Sequence, residues 1–410
     1  MVNLVQTGST SRIPITPIFF IALGLFGVYT IEFGVVGILP AIMERYDVST
    51  FQAGMLVGTF ALVIALVGPF MVLLLSKYNR KNVMIMSLLI FAVSSLCSAY
   101  APNFYVLLAF RMIPALFHPV YFSLAFVAAG SLYPKEKATQ ASAKAFVGTG
   151  MGMVLGIPIT AYLANQFSFE ASFLFCTFVN AVAGGGIAIM LPNTAKAKKV
   201  SYKEQLGILR KVPLWINIGA ATFLFAAMFS VYSYSAEYLE QVLGMNRKTV
   251  SVMLVVFGIG GVAGNLLAGR LIGINMVRTT VFHPIVLAVS FLLLYSGEAD
   301  FVPVLVIMVL WGAAHTSGLI VTQVWLTSEA PEAPEFATGL YISFINLGVS
   351  IGSAAGGWFI AASGMKGTIW SGFLFIVLAL ACVAIRIVHD NQKRRKGKAI
   401  RNEQKPNEAC

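Results

Sequence analysis

Apolar residues in this chain do not alternate with polar ones. They gather in runs of about 20 or more, separated by short polar segments rich in Lys, Arg, Asn and Pro. Such a run, rising 1.5 Å per residue as a helix, crosses a hydrocarbon core of roughly 30 Å. The pattern predicts twelve helical spans, at 16-41, 51-75, 82-100, 104-131, 138-165, 169-191, 214-240, 248-272, 279-297, 301-327, 335-362 and 367-389. An even number puts both termini on one side. The first run is too long and too late for a cleaved signal peptide, and Ser9 to Thr16 supplies no small-residue cleavage site after an apolar core, so it reads as a retained helix. Little chain remains for a soluble domain, and the fold class is an all-α polytopic membrane protein.

Composition agrees: 58% of residues are hydrophobic and 11% charged, where a soluble domain carries about 25% charge. The formal charge of +12 resembles a nucleic-acid signal until the basic residues are placed. About 23 of the 28 Lys and Arg fall on one side, most of them at Lys77/Arg80/Lys81, Lys135/Lys137/Lys144, Lys196 to Lys211 and Lys393 to Lys405. That is the positive-inside pattern, and it predicts cytoplasmic termini, a lipid bilayer as surroundings and no nucleic-acid partner. The acidic stretch from Glu329 to Glu335 falls on the same side, but acids contribute little to orientation. Cys97, Cys176 and Cys382 sit in apolar spans and Cys410 ends the tail, without metal-ligand spacing, so no metal site is expected.

Against this background Glu32 stands out, because it lies inside the apolar run from Ile18 to Ile42. A carboxylate at that depth costs several kcal/mol unless it is neutral, paired or facing water, and intramembrane acids mark proton or substrate pathways. Arg111, in the middle of the fourth span, needs a partner too, since an unpaired guanidinium there costs about 3 kcal/mol. A direct or water-bridged Glu32/Arg111 contact is the economical expectation, with a fixed structural ion pair as the alternative. Burial favours the neutral acid and a nearby cation the carboxylate, so their competition would put proton release under conformational control. His118 falls on the same helix stripe as Arg111 and Ala115, flanked by Pro114 and Pro119. It reads either as a proton relay or as a hydrogen-bonded packing residue.

Residues 192-211 turn polar and basic and divide the chain into bundles of six spans at 1-191 and 212-390, followed by a basic tail at 391-410. The halves look like parallel repeats offset by roughly 197 to 200 positions. That register aligns Phe60 with Phe257, His118 with His315, and the glycine ladder Gly148/Gly152/Gly156 with Gly348/Gly352/Gly356. A glycine every fourth residue lets a neighbouring backbone approach closely. Static packing is the plain reading. Paired ladders, one ending in Pro158, instead suggest a sliding interface between halves.

The segments Tyr29 to Pro40, Ser76 to Lys81, Arg111 to Pro119, Gly156-Ile-Pro158, Tyr232 to Glu240, Gly264-Asn265 to Gly269-Arg270, Gln323, Ala330-Pro331 and Asn346-Leu-Gly348 resemble the major facilitator superfamily. The likeness is to its proton-driven efflux branch of sugar (arabinose-type), purine and chloramphenicol exporters, and it covers nearly the whole chain. Two departures stand out. The loop after the second span has Val72, Ser76 and Asn79 where the superfamily carries Gly, Asp and Gly, and the fifth-to-sixth loop has Phe169-Glu170 where the branch shows Trp-Arg.

The resemblance implies twelve helices in two pseudo-symmetric six-helix bundles, alternating access, and a proton antiporter exporting a small organic solute from a bacterial cytoplasm, working as a monomer. It implies Glu32 as proton carrier, Arg111 tuning it and His118 relaying or binding. Tyr29, Tyr121, Tyr232, Tyr234, His315, Gln323, Tyr341 and Asn346 would line the substrate cavity, and Lys77, Arg80, Lys81 and the glycine ladders would gate it. No cofactor is expected, since the proton gradient supplies the energy and the phosphate-binding and hydrolytic motifs are absent. The rival readings are a facilitator or symporter importing a metabolite, and a sensor or scaffold that transports nothing.

Overall fold

The computed structural model describes residues 15-48, 50-134, 137-192, 202-296 and 301-403. Lys135, residues 193-201 of the basic linker and the end of the tail, with Lys405 and Cys410, lie outside them. The described residues contain helices and no strand. Lipid offers no hydrogen bonds, so each backbone N–H and C=O must be satisfied within its own segment.

Among the described residues, eleven helices are long and apolar enough to cross a membrane, and one of them, Thr249–Ser296, has 48 residues. A continuous helix of that length would measure about 72 Å, more than twice the hydrocarbon thickness. It lies within α11 (Arg247–Ser296), which breaks at Asn275 (φ −156°, ψ 96°) and crosses twice. Asn275 Oδ1 accepts from Arg278 N (2.9 Å), capping the second limb. Twelve crossings result. The remaining spanning helices are α1 (Ile15–Gly34), α3 (Thr50–Leu75), α4 (Arg80–Ala99), α5 (Phe104–Ser131), α6 (Ala138–Gln166), α7 (Phe169–Met190), α9 (Val212–Tyr232), α12 (Phe301–Thr327), α13 (Pro334–Ser363) and α14 (Gly367–Glu403).

Two expected single helices are interrupted. The first span passes from α1 through a 3₁₀ turn, Val35–Ile38, into α2 (Leu39–Tyr46). Pro40 forces this, because it has no N–H and its ring collides with the carbonyl four residues back. The seventh span ends at Tyr232 and resumes as α10 (Ser235–Gln241) after Tyr234 adopts φ −116°, ψ 17°. Both breaks fall at the same end of the molecule, as the repeat requires. The last helix also runs on past residue 389 to Glu403.

Lipid-facing surfaces are apolar: Leu62, Leu66, Phe70 and Leu74, four residues apart on α3, are each more than half exposed. The glycine ladders occupy a different place from the one expected. A methyl on Gly148 would lie 1.9 Å from Ala22 O, and one on Gly152 2.7 Å from Phe26 O, so the first ladder seats α6 against α1. Methyls on Gly348, Gly352 and Gly356 would meet Thr222 O, Ala226 O and Ser230 O at 2.4, 2.2 and 2.4 Å, seating α13 against α9. Adding 200 to 148/22 and 152/26 reproduces 348/222 and 352/226, so the repeat register holds for the contacts themselves. The ladders therefore pack helices inside each bundle rather than forming the seam between bundles. Pro158 is exposed, off the ladder face.

The seams between bundles are α3 and α5 against α13, and α6 against the first limb of α11. Ser343 Oγ donates to Ile64 O (3.1 Å), a methyl on Gly339 would touch Val72, and ones on Gly258 and Gly269 would touch Val154 and Ala143. These contacts run from the middle of the molecule to the end that carries the basic loops. There Arg80 pairs with Glu335 across the seam. Lys77 Nζ lies 4.2 Å from the ring of Tyr202 on α8 (Tyr202–Gly207), and Gln205 Nε2 donates to Ser76 Oγ (2.8 Å). Arg386 pairs with Glu329 and Asp390, and Lys211 with Glu332 (2.5 Å). Lys81 is half-buried. At the opposite end Glu170 holds Arg45 (2.5 Å), whose guanidinium sits 4.5 Å from the Phe169 ring centre. The Phe169-Glu170 departure thus forms a clamp of its own.

Candidate functional site

Glu32 sits in the last turn of α1, 7% exposed and enclosed by protein rather than lipid. Its Oε2 lies 3.0 Å from Nε2 of His118 on α5, itself 1% exposed. The two atoms are close but not aligned as a hydrogen bond, and neither has another partner. A small rotation of either side chain would bring the two into hydrogen-bonding geometry.

Arg111 does not meet Glu32 directly. Its Nη1 donates to Ile31 O (3.1 Å) and its Nε to Leu56 O (3.4 Å), and the guanidinium carbon lies 5.4 Å from the centre of the Phe60 ring. Arg111 therefore ties the backbone of α1, one residue before Glu32, to α3 and α5. In place of the direct form of the expected Glu32/Arg111 contact, the guanidinium takes two backbone carbonyls, Ile31 O in the last turn of α1, where a helix leaves carbonyls without intrahelical donors, and Leu56 O within α3. Pairwise counting of charged side chains has no access to such acceptors.

A run of rings joins this pair to the other bundle. Tyr29 lies 5.2 Å from His118 and stacks on Phe33 at 6.1 Å, and Phe33 stacks on Phe229 of α9 at 6.4 Å. Phe229 is 5.4 Å from His315 on α12. His315 is 1% exposed, with both ring nitrogens unpartnered, boxed by Phe229, Tyr232 at 4.8 Å and Phe257 at 5.3 Å. The repeat is visible here too: Phe60 packs on His118 at 6.1 Å as Phe257 packs on His315. Yet where the first half has Glu32 and Arg111, the second has Tyr232 and Met308 at the corresponding offsets of 200 and 197. The acid and the guanidinium belong to one half alone.

Several expected cavity residues spend their polar groups elsewhere. Tyr121 Oη donates to Ile21 O (3.2 Å) and holds α5 on α1. Tyr234 Oη donates to Ser353 O (2.8 Å), and Tyr341 Oη to Leu319 O (2.9 Å). Gln323 Nε2 donates to Thr338 Oγ1 (2.8 Å) and Asn346 Nδ2 back to Ile342 O (2.9 Å). These are bonds within the second bundle, or within the first for Tyr121, because a polar group in a dry helix interface takes the nearest carbonyl. Tyr29, Tyr232 and His315 remain at the centre.

Sequence reasoning passed over Phe33, Phe229, His283 and Arg386. His283 is 7% exposed, with Nε2 2.7 Å from Ala314 O and 3.2 Å from Ser317 Oγ, and holds the second limb of α11 on α12. Its repeat positions are Val83 and Met86, so the register that singled out His118 and His315 gave no sign of it. Its place in an apolar span was the available signal. Arg386 was hidden by its position near the end of the last span.

The Major Facilitator Superfamily profile matches residues 21–334 and 218–407. The chain is 31% identical over 347 residues to the inner membrane transport protein YdhP of Escherichia coli K12, covering 84% of this chain and 89% of that one. It is 25% identical to a probable sugar efflux transporter of Mannheimia succiniciproducens, over 92% and 98% of the two chains. Among solved structures, the human organic anion transporter MFSD10 superposes with a TM-score of 0.72 at 17% identity, over 90% of this chain and 99% of that one. The E. coli fucose:proton symporter FucP does so with 0.70 at 14%, over 92% and 99%. With twelve crossings in two related bundles, this chain is a multi-pass membrane transporter, not an enzyme, and belongs to the major facilitator superfamily.

Proposed function

We propose that this transporter exports a small organic solute, a sugar, nucleoside or drug, across the bacterial cytoplasmic membrane in exchange for protons, with both termini cytoplasmic. The observation that carries the reading is the Glu32–His118 contact at 3.0 Å, an acid and a base enclosed together inside the first bundle. The efflux direction draws on the relatives described as probable sugar efflux transporters. The cytoplasmic termini draw on the basic loops that share one end of the molecule.

The chemistry divides between the halves. Glu32 and His118 exchange the proton, and Arg111 holds the α1 backbone beside them, so a shift of α1 moves the acid relative to its partner. The aromatic run from Tyr29 to Phe229 and the imidazole of His315 present ring faces and two unpartnered nitrogens, which suit a solute with hydroxyls or a flat ring. One charge crossing about 100 mV is worth roughly 2.3 kcal/mol, enough for about a 50-fold gradient of a neutral solute. A single titrating pair therefore suffices.

A thermal-shift screen of sugars, nucleosides and antibiotics identifies the solute, because a ligand raises apparent stability by mass action. In proteoliposomes loaded with that solute, Glu32→Gln is expected to abolish proton movement driven by the solute gradient while keeping solute exchange. Wild-type proton exchange by Glu32→Gln refutes the assignment.

A further inference from the structure

Behind Arg111, on the side away from the aromatic run, the first bundle contains a cavity of about 20 Å³ between α1, α4, α5, α6 and α7. A void of roughly 10–15 Å³ already accommodates one water, so this one takes a single small occupant and excludes a polyatomic one. Its lining includes Thr30, Ser94, Ser95, Ser98, Arg111 and Thr160, and no carboxylate.

The lining is short of acceptors. Arg111 is 3% exposed with Nη2 unpartnered, and Thr30 is 1% exposed with Oγ1 unpartnered. Ser98 Oγ donates to Ser94 O (2.7 Å) and Thr160 Oγ1 to Gly34 O (2.6 Å), so those hydroxyl protons are spent. The hydroxyls of Ser94 and Ser95, both buried, enter no described hydrogen bond and remain free to donate. Arg111 Nε and Nη1 are met by neutral carbonyls alone, and the Glu32 carboxylate faces His118 instead. A guanidinium whose partners are all neutral leaves a positive potential in surroundings of low dielectric. A water can accept from these donors, but only an anion also offsets the charge.

We propose that this cavity binds one monatomic anion, a halide such as chloride, held by Arg111 Nη2 and the hydroxyls of Thr30, Ser94 and Ser95. The occupant would fix the guanidinium that joins α1 to α3 and α5. This site is separate from the aromatic run and does not depend on proton exchange.

The test uses the purified full chain in detergent at constant pH and ionic strength, with gluconate replaced stepwise by chloride. The expected result is a saturable rise in unfolding temperature and, by equilibrium dialysis of radiolabelled chloride, about one chloride per chain. Thr30→Val with Ser95→Ala removes two donors, and should raise the half-saturating chloride at least about tenfold, since a hydrogen bond to a charged group is worth about 1.5–3 kcal/mol. If the double variant does not fold, Ser95→Ala alone carries the same comparison. Unfolding temperatures that ignore chloride, with no bound chloride in dialysis, overturn the proposal in favour of water. An unchanged half-saturation in the variants overturns it in favour of a site elsewhere.

Discussion

Gly148→Ala separates two roles for the glycine ladders. The added methyl would lie 1.9 Å from Ala22 O, where ordinary contact begins at 3.4 Å, a shortfall of about 1.5 Å. The obstacle is backbone, which cannot swing aside as a side-chain tip can, so α1 and α6 must part along their length. Overpacking of this kind costs about 1–3 kcal/mol, and losing the close Cα–H···O approach adds about 0.5–1 kcal/mol. Gly352→Ala, 2.2 Å from Ala226 O, should cost a similar amount in the second bundle. Gly185→Ala is the control: nothing lies within 4 Å of its added methyl, and alanine favours helix over glycine by up to about 1 kcal/mol, so it should be neutral or stabilising. Unfolding in detergent with increasing SDS measures all three. If the ladders pack within bundles, stability falls for Gly148→Ala and Gly352→Ala before any change in transport rate per folded molecule. Wild-type stability in both, with slowed transport, would refute this and restore the sliding interface between halves.

Arg80→Ala removes the ion pair with Glu335 that closes the basic end across the seam, and should increase labelling of a cysteine placed at Val72 by a water-soluble thiol reagent; unchanged labelling would mean that the pair holds nothing shut. Burial pushes the Glu332 carboxyl up, but the Lys211 ammonium 2.5 Å away and the backbone N–H of Glu332 together outweigh it and hold the group below the usual carboxylate value of 4.5. The clasp should therefore contribute its stability above about pH 4.5 and lose it as pH falls through the lower folded value, so the melting difference between wild type and Glu332→Gln should vanish on acidification. His283→Leu removes the imidazole's contact with Ala314 O, which keeps only the longer bond from Ser317 Oγ (3.3 Å), and should cost about 0.5–1.5 kcal/mol in the same SDS unfolding without altering affinity for the transported solute.

The hydropathy pattern determined the crossings, because the bilayer sets one length scale and demands that each span satisfy its own backbone. The repeat register was equally legible: Gly148 and Gly348, Phe60 and Phe257, His118 and His315 do occupy equivalent places. The break at Pro40 in the first helix was not anticipated, because the apolar run continues through it. Glu32 as the central acid was legible too, since no neighbour in the sequence explains a carboxylate there.

Partnership was a different matter. Which group faces Glu32, where Arg111 finds its acceptors, and which helix each glycine ladder touches depend on rotations and depths of helices about their axes. Periodicity restricts these to a face but does not choose the neighbour on that face. Arg111 went to the carbonyls of Ile31 and Leu56, and His118 took the place beside Glu32. In a dry interior the nearest polar atom wins whatever its residue type, and nearness is settled only when the helices have packed.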